Sequence, residues 1–287
     1  MINYREIEKL LDETGGRVSY VGVTHLGNPI PMVTKGNGAN GVSILLVGSV
    51  HAREYITSYL LCGLLKDYEG QTRIDCVPVL NIDGVFLCRN GARLFPPNSK
   101  TLEELIYLNG GCDFSLWKAN IRGVDINVNF DADWGKGELN TKTPGSENYI
   151  GPYPESENET KAAVELLRKN NYNMVVAYHS KGEEIFYGYG DDLRYKEHSL
   201  RVADFLGYRL KTSDNSAGGL KDYVVKQLKG YALTIEVGED RFEHPYPMEE
   251  LSALLKKHKG SLELFCDIGE KIAGRVYEGS HKAGPKS

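Results

Sequence analysis

VSILLVGSVH, residues 42–51, is an apolar run of strand-forming residues that ends on a histidine. A strand with one wet face would alternate apolar and polar residues. A run apolar at nearly every position has both faces covered, as in the centre of a helix-flanked sheet. Working outward, residues 54–67 predict a helix with Ile56, Leu60, Leu61, Leu64 and Leu65 on one stripe. Residues 74–80, 174–179 (MVVAYH) and 231–237 (YALTIEV) predict further strands. Residues 160–169, with Ala163, Leu166 and Leu167, and residues 194–207 predict helices, and 248–273 a closing helix interrupted near Gly260. Strands alternating with helices predict an α/β fold, a sheet with helices on both faces.

No linker divides the chain, so residues 1–273 read as one domain and 274–287, rich in Gly and Pro, as a flexible tail. The stretch 81–153 is rich in Gly, Asn and Pro and short of periodic structure. Segments of that length inside a compact domain are usually functional. The chain has 287 residues, 41% hydrophobic and 25% charged, which excludes a disordered or fibrous protein. Net charge is −5, without the basic surplus of a nucleic-acid binder. No apolar run reaches the roughly 20 residues of a membrane span, and the charged N-terminus lacks the apolar core of a signal peptide. Five cysteines, an odd number with no C-x-x-C, argue against a disulfide framework or a cysteine zinc site. The expected setting is cytoplasmic, with no nucleic-acid or membrane partner, and no signal fixes an oligomeric state.

Three titratable residues stand at the ends of apolar strands: His51, His179 and Glu236. Burying such groups is costly unless they are paired or bound, and in open α/β sheets ligands bind at the carboxyl ends of strands. His51-Ala52-Arg53-Glu54 is an H-x-x-E motif. With His179 it makes a His₂Glu donor set, which leaves a fourth tetrahedral position for water; its softness points to zinc over magnesium or calcium. The H-E-x-x-H helix motif is absent.

These residues sit among others in a familiar order: H-A-R-E at 51–54, N-I-D-G at 81–84, L-W-K-A-N at 116–120, G-V-D-I-N-V-N-F at 123–130, Y-H-S at 178–180 and T-I-E-V at 234–237. In this the chain resembles the zinc carboxypeptidase (M14) metallopeptidase family. The resemblance implies a single-domain, doubly wound mixed β-sheet and one Zn²⁺ ion held by His51, Glu54 and His179. It implies Glu236 as general base and then acid, Arg53 beside the substrate or developing oxyanion, and Asp125 as the carboxylate that orients His51.

Departures from the family pattern narrow the substrate. The asparagine–arginine pair that grips a C-terminal carboxylate is here Asn127-Val128, and valine cannot donate the bidentate contact. The oxyanion arginine is replaced by Lys118, with Arg122 as the alternative. The family's flexible tyrosine is missing; its place falls near Asp214 and Asn215, with Tyr223 a poor substitute. Lys221 lies where digestive relatives set side-chain preference, and reads equally as a substrate contact or a surface lysine. The combination, with N-V-N-F-D-A-D-W at 127–134 and H-S-K-G-E-E-I-F-Y at 179–187, resembles the bacterial γ-D-glutamyl-L-diamino acid (or meso-diaminopimelate) peptidases. That implies a peptidoglycan-derived peptide as substrate, with Glu183, Glu184 and Lys221 as contacts for the diamino acid. The alternatives are a conventional metallocarboxypeptidase, an N-acyl amino acid deacylase, or a catalytically dead peptide-binding protein. Retention of His51, Glu54, His179 and Glu236 argues against the last.

Overall fold

A computed structural model describes residues 3–212 and 215–281, apart from the side chains of 275–281. In chain order the elements are α1 (Tyr4–Asp12), β1 (Arg17–Val23), β2 (Pro29–Lys35), β3 (Ser43–Val47), α2 (Ile56–Lys66), β4 (Arg73–Val77), α3 (Ile82–Asn90), α4 (Lys100–Asn109), α5 (Asn158–Lys169), β5 (Met174–Ser180), β6 (Glu184–Tyr187), α6 (Lys196–Leu206), β7 (Arg209–Thr212), α7 (Leu220–Lys226), β8 (Ala232–Val237), α8 (Leu251–His258) and α9 (Ser261–His281). The eight strands form one sheet in the order β1-β2-β4-β3-β5-β8-β6-β7. Its centre, β4-β3-β5-β8, is parallel. Antiparallel pairings of β2 with β4 and of β6 with β8 attach the two edges, so the sheet is mixed.

The apolar run at 42–50 supplies β3, and its alternation splits between two cores. Ile44 and Leu46 face the core built with α2, α6, α8 and α9. Leu45 and Val47 face the core built with α5 and α7. In β5, Met174, Val176 and Tyr178 point one way and Val175 and Ala177 the other. Each Val, Leu, Ile or Met among them, taken fully from water, contributes about 1.5–3 kcal/mol, which fixes the register of these strands.

The structure departs from the sequence reading at several elements, beginning with α1, which was not expected. β1, β2, β6 and β7 were not expected; β1 lies at a sheet edge and is half exposed along its length, so no burial period marks it. The stretch 81–153 contains two helices. α3 buries Ile82, Val85, Phe86, Leu87 and also Asp83, Gly84 and Asn90. A helix covered almost all round has no apolar stripe to read. The closing helix is interrupted at Gly260 as expected, between α8 and α9, and the φ of +87° there is open to glycine at little cost. α9 then runs on to His281, past the expected end at 273; residues 282–287 of the expected tail lie outside the described residues.

Candidate metal centre and substrate cavity

β3 ends at Val47 and delivers His51 four residues on. Ala52–Glu54 then form one 3₁₀ turn that brings the Glu54 carboxylate back beside the ring. Thr57 locks this turn: its Oγ1 accepts from the Ser49 amide at 2.8 Å and donates to the Glu54 carbonyl at 2.8 Å. His179 comes from the end of β5, where the parallel register sets it directly opposite Glu236 of β8. Both stand on the sheet face shared with Val175, Ala177 and Ala232.

The result is a buried cluster. His51 Nδ1 lies 2.8 Å from Glu54 Oε1, His179 Nδ1 lies 3.0 Å from Glu54 Oε2, and the two Nδ1 atoms are 3.1 Å apart. Burial opposes charge on these groups. Even so, Glu54 and Asp125 hold the His51 ring above its ordinary value, and the two histidines hold the Glu54 carboxyl well below its own. Two imidazole nitrogens aimed at each other and at one carboxylate are a donor set awaiting a cation. Ligand atoms about 2.0–2.1 Å from a tetrahedral zinc ion lie about 3.3 Å apart, close to the spacings here. The three residues therefore fit one zinc ion.

Asp125 stands behind His51, wholly buried. Its Oδ1 is 3.3 Å from His51 Nε2 and accepts the Asn127 amide at 3.0 Å. Its Oδ2 is 2.7 Å from Lys118 Nζ and accepts the Asn148 amide at 3.3 Å. Burial would raise this carboxyl, but Lys118 and His51 hold it far below the usual range, and Asp125 in turn raises Lys118. A carboxylate on Nε2 favours the tautomer that leaves the Nδ1 lone pair free for a metal.

Two connected cavities open on the cluster. One, of about 150 Å³, is lined by His51, Lys118, Asp125, Val128 and Asn148. The other, of about 470 Å³, is lined by Glu236, Thr234, Phe186, Lys221 and Asp222. Asn127, Leu139, Asn215 and Ser216 belong to both. Burial pushes the Glu236 carboxyl up to about 8 in the metal-free protein; Glu54 adds to this, while His179 and Lys118 oppose it. A larger groove, of about 740 Å³, lies on the opposite face among α1, α2, α8 and α9, but its walls carry none of the expected site residues.

The other expected site residues divide in two. Lys221 lines the larger cavity as a buried cation, with Nζ 2.6 Å from the Gly188 carbonyl and 2.5 Å from Asp222 Oδ1; it is not a surface lysine. Asn127 lines both cavities, and its Oδ1 accepts the Leu220 amide. Arg53 donates to the Leu116 carbonyl and pairs with Glu147, while its buried Nε has no partner among the described residues. Arg122 is drawn to Glu157, 3.9 Å away, and does not line either cavity. Glu183 pairs with Lys257, and Glu184 with Arg209 and Lys211, so both carboxylates are engaged outside the cavity walls. Tyr223 is buried against Phe130 and accepts from Arg168, away from the cavities. Asn215 does line them, and Asp214 lies outside the described residues. Asn148, Phe186 and Thr234 were missed. Only the left-handed φ of Asn148 marks it as special, and that appears in the fold alone.

The sequence model of the zinc carboxypeptidase family matches residues 4–259. Among curated proteins, γ-D-glutamyl-L-diamino acid endopeptidase 1 of Lysinibacillus sphaericus is 32% identical over 263 residues, covering 84% of this chain and 64% of the relative. Carboxypeptidase B of Bos taurus is 28% identical over 202 residues, 64% of this chain and 44% of the relative. The chain thus spans less than two thirds of either relative's length. Among solved structures, bovine thrombin-activatable fibrinolysis inhibitor superposes with a TM-score of 0.72 at 19% identity, over 95% of this chain and 96% of that one. The murein-tripeptide amidase of Escherichia coli O157 gives 0.56 at 23% identity, over 85% and 94%. Both share the fold.

Proposed function

The chain belongs to the zinc carboxypeptidase family; from that premise we propose that it is a metallopeptidase and hydrolyses the γ-D-glutamyl–diamino acid amide bond of peptidoglycan stem peptides. His51, Glu54 and His179 hold the zinc. Bound there, zinc polarises the scissile carbonyl and lowers the pKa of water toward ~7. Glu236, across the strand pair from His179, takes the proton from the attacking water and passes it to the leaving amine. Lys118, 17% exposed beside His51, and Arg53 supply positive charge where the oxyanion develops. Asp125 fixes the His51 ring.

One observation carries the substrate assignment: Val128, not arginine, lines the cavity where a C-terminal carboxylate would be gripped. Lys118 and Lys221, the cations in these walls, are already bound to Asp125 and Asp222. A C-terminal α-carboxylate bound here would forgo on the order of 2–5 kcal/mol of paired contact. The name of the 32%-identical relative supports a γ-D-glutamyl bond instead. Lys221 lacks the paired donors of a guanidinium, but the one N–H it does not spend on Gly188 and Asp222 serves the distal carboxylate of the diamino acid. The five cysteines, none of them paired, support a reducing, cytoplasmic setting.

The test is a panel of L-Ala-γ-D-Glu-meso-diaminopimelyl-D-Ala, in which the diamino acid's α-carboxyl is in amide linkage, its lysine counterpart and a blocked dipeptide ending in phenylalanine, read by mass spectrometry with zinc-loaded protein. The γ-D-glutamyl peptides are cleaved, with kcat/KM at least 100-fold above the blocked dipeptide. Release of phenylalanine with both stem peptides intact overturns the proposal.

A further inference from the structure

Among the described residues, a second group of potential metal ligands lies outside the active site: His25, Glu157 and Glu159, whose donor atoms all fall within 4.8 Å of one another. The scaffold around it is rigid. His25 sits in the turn between β1 and β2, and Asp83 of α3 pins that turn by accepting from Thr24 Oγ1, Asn28 Nδ2 and the Leu26 amide. Glu157 precedes α5 and Glu159 is in its first turn. Both glutamates are wholly buried. His25 Nε2 lies 3.2 Å from Glu157 Oε2. Asn120 Nδ2 donates to both carboxylates, at 2.8 Å and 3.3 Å.

Charge and hydrogen bonding are both left incomplete. Three buried carboxylates, Glu157, Glu159 and Asp83, are crowded together, and the groups facing them are the partly exposed His25 imidazole and an Arg122 guanidinium 3.9 Å from Glu157. Glu159 Oε1 is buried with no hydrogen-bond partner among the described residues. An unpaired buried carboxylate oxygen is costly. The arrangement repeats what His51 and Glu54 show at the catalytic cluster: an imidazole nitrogen drawn to hydrogen-bond distance of a carboxylate in a dry, acidic niche.

We propose that His25, Glu157 and Glu159 form a second cation site, which takes a divalent transition-metal ion such as zinc and clips the β1–β2 turn to the start of α5. One imidazole with two carboxylates suits such an ion; calcium would require six or more oxygens. Asn120, which donates to both carboxylates, ties the site to the segment that leads to the active site. That residue's Oδ1 accepts the Arg122 and Val124 amides, and its neighbours in sequence carry Lys118 and Asp125 to His51. The site stands independently of the reaction assigned above.

Protein stripped with a chelator is equilibrated with excess zinc chloride, desalted and analysed for metal. Wild type retains two zinc ions per chain; His25→Ala and Glu159→Gln retain one, as does His51→Ala. Because His25 is partly exposed, its replacement leaves the fold intact, and circular dichroism checks this. Zinc beyond one equivalent raises the Tm of wild type but not of His25→Ala. Anomalous diffraction from zinc-soaked wild-type crystals places a peak between His25 and Glu159, which needs no variant. One zinc ion per chain in wild type and no peak there overturns the site and leaves the two glutamates sharing a proton. A second zinc ion that persists in both His25→Ala and Glu159→Gln overturns it equally.

Discussion

Replacing Asp125 by asparagine changes shape hardly at all and tests how the metal centre is held. Each oxygen of Asp125 faces donors: His51 Nε2 and the Asn127 amide on one side, Lys118 Nζ and the Asn148 amide on the other. An asparagine amide has one acceptor and one donor end, so either rotamer sets its NH₂ against a donor. The substitution also strands the Lys118 ammonium without its counter-ion in a site that is 17% exposed on the lysine side and closed on the other. Breaking a buried pair this way costs about 3–5 kcal/mol. The lower figure applies because Lys118 keeps some access to solvent. For a chain of this length, with an unfolding entropy of about 0.6 kcal/mol/K, 3 kcal/mol lowers Tm by about 5 °C. The loosened ring lowers zinc affinity by about 10–100-fold. Thermal unfolding of the metal-free protein and zinc competition against a chromophoric chelator measure the two effects separately. Asp125→Asn/Lys118→Met removes the stranded charge and is more stable than Asp125→Asn alone. A double variant no more stable than the single one, or an unchanged zinc affinity in Asp125→Asn, would refute this account of how Asp125 works.

Glu236→Gln lowers kcat by about 10²–10⁴-fold with zinc content unchanged, as loss of a general base requires; full activity in the zinc-loaded variant contradicts the role. The same group gives the metal-free protein a pH signature. Its carboxyl is raised from 4.5 to about 8 by burial, so the folded protein binds this proton more tightly than the unfolded chain. Stability present below pH 4.5 is therefore lost as pH rises through 8. Urea unfolding at pH 5 and pH 8.5 shows that loss in wild type, and Glu236→Gln makes it smaller, with a remainder from Glu159, whose carboxyl burial raises to about 7. Val128→Arg restores the missing carboxylate donor and raises kcat/KM on a peptide with an ordinary C-terminal residue by about 10-fold or more; no gain shows that position 128 does not face that carboxylate. Lys221→Met leaves Asp222 buried without its cation and raises KM for the meso-diaminopimelate peptide more than for its lysine counterpart, which lacks the distal carboxylate. Equal effects on both peptides mean that Lys221 serves only the fold.

Much of the fold was legible because local physics forced it. A strand buried on both faces must be apolar along its buried length, as β3 is from Ile44 to Val47 and β5 from Met174 to Tyr178. The His-x-x-Glu spacing also had a local meaning, since one short turn suffices to bring Glu54 back to His51. α3 was hidden by its own burial, which erases the stripe that marks an ordinary helix. The edge strands β1 and β7 were hidden by the reverse, with too little burial to impose a period.

By itself, then, the sequence determined the sheet's centre and the residue types of the metal cluster, because burial and a four-residue turn act at short range. The tertiary structure alone decided which charges remain for a substrate. Lys118 is taken up by Asp125, Lys221 by Asp222, Glu183 by Lys257, Glu184 by Arg209 and Lys211, and Arg122 by Glu157. Most of these partners are distant in sequence, and no pattern along the chain records them. Coulombic attraction depends on distance in space, and that distance is set only when the sheet brings its strands into register and the loops at their carboxyl ends close over His51 and His179.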